Sequence, residues 1–488
     1  MRILLYNFVQ PEEAGAGGVG VYLNNLTKAL ARDHEVITLS SGDRYSPRRK
    51  EPRVEFSRDV HDRAVIVNSP VLAPAAYAFA NADTYLESDG LDFVPALLAE
   101  KYGRIDVFHF QNIEGLTLSF FRKVRAAFPD ARIIYSAHNY HPLCPRVSLW
   151  YQDRKVCEDF REGQGCTICH APVFDDNYIR NRRRLIWAQE AYPRAMGFVD
   201  PAVTVAKWAR RTLIKARTRP SSDPTVPVNP AGNTLPTNSA ATYAAFRHGN
   251  NALFRDVFDR VLAVSERTGK VIVDRGVPAE KVGVSYIGTA YKETYLTSTK
   301  IRDIGGSLHL GYIGYMGREK GFTFLLECLE RMPADVAAAT TITIAARNTF
   351  PELHARMKKV GARFAKLRYF NGYTHANLGE VLNGVNLGLI PVLWEDNLPQ
   401  TAIELVARGI PILTSDHGGA QEIAHNPRFT FQAGRHDEFI DRVCRIAARD
   451  IGLDEFWIRD MRVFSMDEHV ADLMTHYRAG QRAEVLVA

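Results

Sequence analysis

Asp396 and Glu404 stand eight positions apart in the stretch DNLPQTAIELVARGIPILTSDHGGAQE. A carboxylate can accept hydrogen bonds from the vicinal hydroxyls of a ribose or a sugar, and free N–H groups at a helix start can hold hydroxyls or a diphosphate. Asp396 follows the strand-like run LGLIPVL, Pro399 suits a first helical turn, and Glu404 falls inside that helix. The plainer alternative makes Asp396 a helix N-terminal charge and Glu404 a solvated helix residue. Upstream, GYIGYMGREKG (Gly311 to Gly321) reads as a strand and a tight turn that delivers Arg318 and Lys320 to a helix start, where a diphosphate needs cations. A solvated basic loop is the other reading. Gly17-Gly18-Val19-Gly20 reads as a glycine turn able to cradle phosphate, although it lacks the dinucleotide spacing and no Walker lysine follows. His138, in SAHNYHPLC, ends a strand, where it is either structural or directed at a ligand.

Two further groups lie between the strand patterns. Cys144, Cys157, Cys166 and Cys169, the last two a CxxC followed by His170, could close a tetrahedral structural zinc site, with buried free thiols as the alternative. From Arg180 to Arg219 eleven Arg or Lys residues face only Glu190 and Asp200, with Trp187 and Trp208 interleaved. Such a stretch suits an anionic membrane surface, a solvated helix face, or RNA.

The elements that must position these groups follow from periodicity. RILLYNFV, IDVFHF and ARIIYSAHN read as buried strands separated by helices, the first of them over Val21 to Ala31. The alternation stops at Cys144 and resumes near RVLAVS (Arg260 to Ser265), and a Pro/Ser/Asn-rich run from Arg219 to Ser239 reads as a flexible loop. After Ile301 a second alternation begins. The reading is therefore α/β with two doubly wound Rossmann-like domains facing across a cleft: 1–295 on the acceptor side with an insertion at about 144–255, 296–450 on the donor side, and 451–488 as helices that return to the first domain. A chain of 488 residues is too long for one core. With 46% hydrophobic and 24% charged residues it should fold as a globular protein, and a net charge of +6 gives no case for nucleic acid. No apolar run is long enough to span a bilayer, and no signal-peptide pattern opens the chain, so the expected location is cytoplasmic, with peripheral attachment to the inner face of the plasma membrane.

Taken in order, GGVGVYLNNLTKALARDHEV, VLAVSERTGKVIVDRGVPAEKVGVSYIGTA, GYIGYMGREKG and the Asp396-x7-Glu404 element resemble the retaining nucleotide-sugar glycosyltransferases of family 4, which have the GT-B fold. The resemblance implies that Glu404 binds the donor ribose and that Asp396 stands where an acid, usually Glu, contacts the transferred sugar. Lys320 matches the lysine on the diphosphate. The family's arginine position is Tyr315, and Arg318, three residues on, would supply that cation. His138 matches the histidine near the sugar's primary hydroxyl, and Gly17 and Gly18 match the glycine loop near diphosphate and acceptor. Asn397, Leu398, Pro399 and Gln400 would offer backbone donors to the sugar. The implied activity is transfer of a sugar from a nucleoside-diphosphate donor to a saccharide or polyprenyl-linked acceptor in cell-surface polysaccharide assembly, with no catalytic metal. A nucleotide-sugar epimerase, a glycoside phosphorylase and a catalytically silent scaffold of the same fold are the alternatives. Residues near Arg347, Asn348 and Tyr373 would line the base pocket.

Overall fold

The computed structural model describes residues 1–11, 17–58, 61–170, 175–192 and 238–479. Its frame is two sheets. The first has eight strands: β1 (Arg2–Tyr6), β2 (Glu35–Ser41), β3 (Arg53–Arg58), β4 (Asp62–Val67), β5 (Val107–Phe110), β6 (Arg132–Ala137), β7 (Arg260–Ala263) and β8 (Val282–Val284). Their order is β8-β7-β6-β5-β1-β2-β4-β3, parallel except for the β3–β4 pair. Strands covered on both faces need continuous apolar runs, and Ile3, Leu4, Leu5 and Tyr6 are accordingly fully buried.

The second sheet has six strands: β9 (His309–Gly314), β10 (Thr341–Ala346), β11 (Lys366–Phe370), β12 (Leu387–Ile390), β13 (Ile412–Ser415) and β14 (Thr430–Phe431). All pairs are parallel in the order β11-β10-β9-β12-β13-β14, the doubly wound order whose direction reverses between β9 and β12. Ligands bind at such a reversal, outside the carboxyl ends of the strands.

Five helices build the cleft walls or join the two domains, and another, α2, packs within the first: α1 (Gly17–Leu30), α2 (Ala240–Asp256), α3 (Glu266–Val273), α4 (Phe322–Arg331), α5 (Gln400–Ala407) and α6 (Met466–Arg478). Helix α1 begins at Gly17, so the glycine run expected to form a turn is instead the helix's first turn. Helix α2 lies where the sequence pattern breaks; it buries Phe246, Leu253 and Phe254 in the first domain's core, and its buried Tyr243 meets His170 Nδ1 at 2.7 Å. Helix α6 opens on a capping box, Ser465 accepting from the Glu468 N–H and Glu468 from the Ser465 N–H. It then crosses from the second domain to the first. There His469 Nε2 meets the Tyr22 hydroxyl at 2.8 Å, and the Tyr477 hydroxyl meets His109 Nδ1 at 2.7 Å. Among the described residues no helix is long and apolar enough to cross a membrane.

Candidate functional site

The reversal of strand order in the second sheet brings two loops together. After β9 the chain turns through Tyr315 to Gly321 into α4; after β12 it runs through residues 391–399 into α5. Lys320 from the first loop meets Asp396 from the second, Nζ to Oδ2 at 2.6 Å, and the ammonium lies 4.9 Å from the centre of the Trp394 ring. Asp396 is 7% exposed. A carboxylate so deep needs such a partner.

The turn that presents Lys320 depends on Gly321. Its φ is +74°, and a Cβ there would lie 1.7 Å from the carbonyl oxygen of Pro391. Gly321→Ala therefore has to carry a left-handed Ala and separate the two loops, a destabilisation on the order of 3 kcal/mol. The expected result is a lower denaturant midpoint with unchanged slope, measurable by urea titration.

Glu404 sits inside α5 and is 4% exposed. Its Oε2 accepts from the Tyr373 hydroxyl at 3.0 Å, and His375 Nδ1 stands 3.6 Å from Oε1. Burial pushes its carboxyl above the usual range, against the opposing pull of Tyr373, His375 and Arg408. Tyr291 reaches the same corner, bonded to His375 and lying under the Arg408 guanidinium. Tyr315 is 64% exposed, and its backbone carbonyl accepts from the Tyr312 hydroxyl at 2.6 Å. Arg318 is half-buried in the turn, where its carbonyl accepts from the Gly321 N–H at 2.9 Å.

The first domain supplies the opposite wall. His138 directly follows β6; its Nε2 is 2.8 Å from Gln111 Oε1, and its ring lies 4.9 Å from that of Tyr22. Burial lowers its pKa to about 3, with His469 adding to the effect, so the imidazole is neutral at physiological pH. Gly18 abuts the start of α5: a Cβ on it would lie 3.3 Å from Gln400 Cγ. Asn397 bridges the domains, its Nδ2 donating to the Ala137 carbonyl at 2.9 Å. Leu398 is buried, and Pro399 is the N-cap of α5. The buried Asn397 Oδ1 and Trp394 Nε1 have no hydrogen-bond partner among the described residues.

The structure thus joins Lys320 to Asp396, ties Asn397 to the residue before His138 and sets Gly18 against the start of α5, while Glu404 lies further along that helix with Tyr373 and His375. Sequence reasoning missed Glu395, Glu422 and His375. Glu395 directly precedes Asp396 and Glu422 closes the run DHGGAQE; a carboxylate next to a glycine pair in a strand-end loop was the available signal.

Cys144, Cys157, Cys166 and Cys169 line one cavity of about 20 Å³ together with Arg146, His170 and Arg247. The Gln152 N–H points at Cys169 Sγ at 3.1 Å. Burial pushes the Cys157 thiol up to about 11 and that of Cys166 to about 12. Among the described residues, however, no three His, Cys, Asp or Glu side chains converge as ligands of a metal ion.

Of the basic stretch, Arg180 donates to the Pro70 carbonyl at 2.6 Å, and Arg183 bonds the carbonyls of Gly42 and Ala73 and pairs with Asp43 at 2.8 Å. These two guanidiniums anchor their helix to the first domain and are not presented to a membrane. Arg194, Lys207, Trp208 and the rest of the stretch to Arg219 lie outside the described residues, as does nearly all of the Pro/Ser/Asn-rich run.

Two Rossmann-like domains facing across a cleft, with these groups at the strand ends, define the GT-B fold, and solved structures of that fold cover almost the whole chain. Anabaena HepE in complex with UDP is 13% identical with a TM-score of 0.55, covering 97% of this chain and 100% of its own. The sucrose-phosphate synthase of Thermosynechococcus elongatus is 13% identical with a TM-score of 0.55, covering 98% of each chain. A UDP-forming trehalose-phosphate synthase from Burkholderia xenovorans is 15% identical with a TM-score of 0.54, covering 99% of each. The family model described as glycosyl transferases group 1 matches residues 307–449, which contain Lys320, Asp396 and Glu404. No curated protein is matched by the sequence. The chain is a GT-B protein whose second domain carries the glycosyl transferases group 1 pattern.

Proposed function

We propose that the protein is a retaining glycosyltransferase that moves a sugar from a nucleoside-diphosphate donor to a saccharide or polyprenyl-linked acceptor, at the cytoplasmic face of a membrane, in cell-surface polysaccharide assembly. One observation carries the reading: Lys320 meets Asp396 at the strand-order reversal of the domain matched by the group 1 model, and Glu404 is buried in the helix that starts there. Glu404 would take the ribose hydroxyls. The donor would divide the Lys320–Asp396 pair, its diphosphate drawing the ammonium and its sugar hydroxyls drawing the carboxylate.

The reaction breaks the bond between C1 and the diphosphate oxygen and forms a bond from the acceptor oxygen to C1 on the same face. The acceptor's proton passes to the departing diphosphate. Charge accumulates on that diphosphate, so its stabilisation by Lys320, assisted by Arg318, is the largest catalytic contribution asked of the protein. Neutral His138, held by Gln111, would orient the sugar's primary hydroxyl. Gly17 and Gly18 would lie beside the diphosphate and acceptor, and Asn397 to Gln400 would present backbone donors to the sugar.

The test is turnover with UDP-, GDP- and ADP-sugars and a polyprenyl diphosphate saccharide, beginning with UDP-sugars because HepE holds UDP. Nucleoside diphosphate released in step with a product of unchanged anomeric configuration is expected. Inverted product would overturn the retaining assignment, and the absence of release from every donor would overturn the transferase reading.

A structural zinc on Cys144, Cys157, Cys166 and Cys169 belongs to the same reading. The shared cavity, the N–H donor to Cys169 and the neighbouring guanidiniums of Arg146 and Arg247 suit a tetrathiolate, while the thiols would have to turn inward to coordinate. Such a site has no open position and takes no part in the chemistry. Metal analysis of protein purified without chelator should find one zinc per chain, lost in Cys166→Ser; a metal-free, equally stable wild type would contradict it.

A further inference from the structure

We propose that Arg267 is a positioning residue: by pairing across the domain seam with Glu395 it holds the loop of residues 394–398 in the form that presents Asp396, so that the donor site is complete only when the domains are closed. The role in turnover rests on the donor-site reading above; the mechanical link does not.

Arg267 lies in the first turn of α3, in the first domain. Its guanidinium makes a two-pronged contact with Glu395 of the second domain, Nε to Oε2 at 2.9 Å and Nη2 to Oε1. Glu395 is 1% exposed, and its other bond comes from the Gly418 N–H at 3.0 Å. Burial alone would raise its carboxyl; Arg267, together with the Gly418 N–H and His417, outweighs this and holds it below the usual range. Opening the seam would strip a buried carboxylate of its cation, which is costly unless the loop moves to find water.

Two further straps cross at the same place. Glu422 accepts from the backbone N–H groups of Glu266 at 2.8 Å and Arg267 at 2.6 Å, and from the Tyr286 hydroxyl at 2.6 Å. The Asn397 carbonyl accepts from Ser265 Oγ at 2.8 Å and Thr268 Oγ1 at 3.2 Å. Residues 395 and 397 are thus both tied to the first domain, and Asp396 lies between them. Its own carbonyl accepts from the Gly419 N–H at 2.9 Å. On the far side, the Asn397 amide holds the carbonyl of Ala137, the residue before His138. The acceptor wall and the donor loop are therefore fixed by one set of cross-domain bonds, and a coupled element of this kind makes closure a condition for presenting Asp396.

The experiment pairs hydrogen–deuterium exchange of the full chain with steady-state kinetics for Arg267→Met, Arg267→Lys and the double variant Arg267→Met/Glu395→Gln. In Arg267→Met, exchange in peptides covering residues 394–398 and 418–422 should accelerate, kcat should fall about ten-fold, and the nucleoside diphosphate Kd should stay within about two-fold, because the Glu404 contacts lie within the second domain. Arg267→Lys should regain part of both losses. The double variant removes the orphaned carboxylate, so it should recover thermal stability while keeping fast exchange and low kcat. Unchanged exchange at 394–398 overturns the proposal, as does a fall in nucleotide affinity that accounts for the whole kinetic loss. If wild type turns over no donor, the transferase reading fails, and the exchange data still decide the clamp.

Discussion

Lys320→Met is expected to lower kcat by about two to three orders of magnitude, the size of effect seen when a preorganised group facing developing charge is removed. The reason is geometric. Lys320 is delivered by a turn that Gly321 makes possible, and its ammonium already stands 2.6 Å from a carboxylate 7% exposed. The turn fixes the backbone from which the ammonium would reach the diphosphate, so only the side chain has to exchange Asp396 for the leaving group. Because the substitution also leaves Asp396 without its cation, Lys320→Met/Asp396→Asn serves as a control. It should recover thermal stability and remain slow, which would show that the loss in the single variant is not one of folding. A Lys320→Met enzyme with kcat within a few-fold of wild type would remove Lys320 from the leaving-group site.

Glu404→Ala is expected to weaken binding of the nucleoside diphosphate by roughly a hundred-fold or more. Two hydrogen bonds from ribose hydroxyls to a buried carboxylate contribute on the order of 3 kcal/mol, and 1.4 kcal/mol is ten-fold. The carboxylate is preorganised by Tyr373 and His375, so little side-chain ordering opposes the gain. The same burial sets a pH dependence. The Glu404 carboxyl is pushed above the usual range, and a protonated carboxyl is the poorer acceptor. Affinity of wild type should therefore fall as pH drops, starting above the pH at which an ordinary glutamate titrates, and this limb should be absent from Glu404→Ala. Equilibrium dialysis across a pH series checks both; a limb that persists in the variant would assign it to another group.

How much of the fold and site was legible in the sequence depends on the range over which each feature is determined. The central strands were readable because parallel strands covered on both faces are largely apolar, as in RILLY and LGLI, whereas β3 and β4, at one edge of the first sheet, carry charged residues and were not. Lys320 and Asp396 lie in the strand-end loops the sequence pattern gives them and Glu404 in the helix that follows, but their reading as donor ligands comes from the family resemblance, not from local pattern. Helix α2 was not: AATYAAFRHGNNALFRD has a glycine and two asparagines at its middle, and it is held by the burial of Tyr243, Phe246, Leu253 and Phe254, which only the tertiary fold provides. The glycine run after β1 was read as a turn because glycine favours turns. In the fold its residues begin α1, and the missing side chain of Gly18 serves close approach to Gln400. The Arg267–Glu395 pair joins residues 128 positions apart in different domains, and no local pattern announces such a contact.

The central claim is that the second domain binds a nucleoside diphosphate through Glu404 and Lys320. Calorimetric titration of the purified wild-type chain with UDP, GDP and ADP tests it most directly. The expected result is one of the three bound at a single site per chain, with the heat abolished at the same concentrations in Glu404→Ala. A wild type that binds none of them, or a Glu404→Ala variant that binds as wild type does, would contradict that claim.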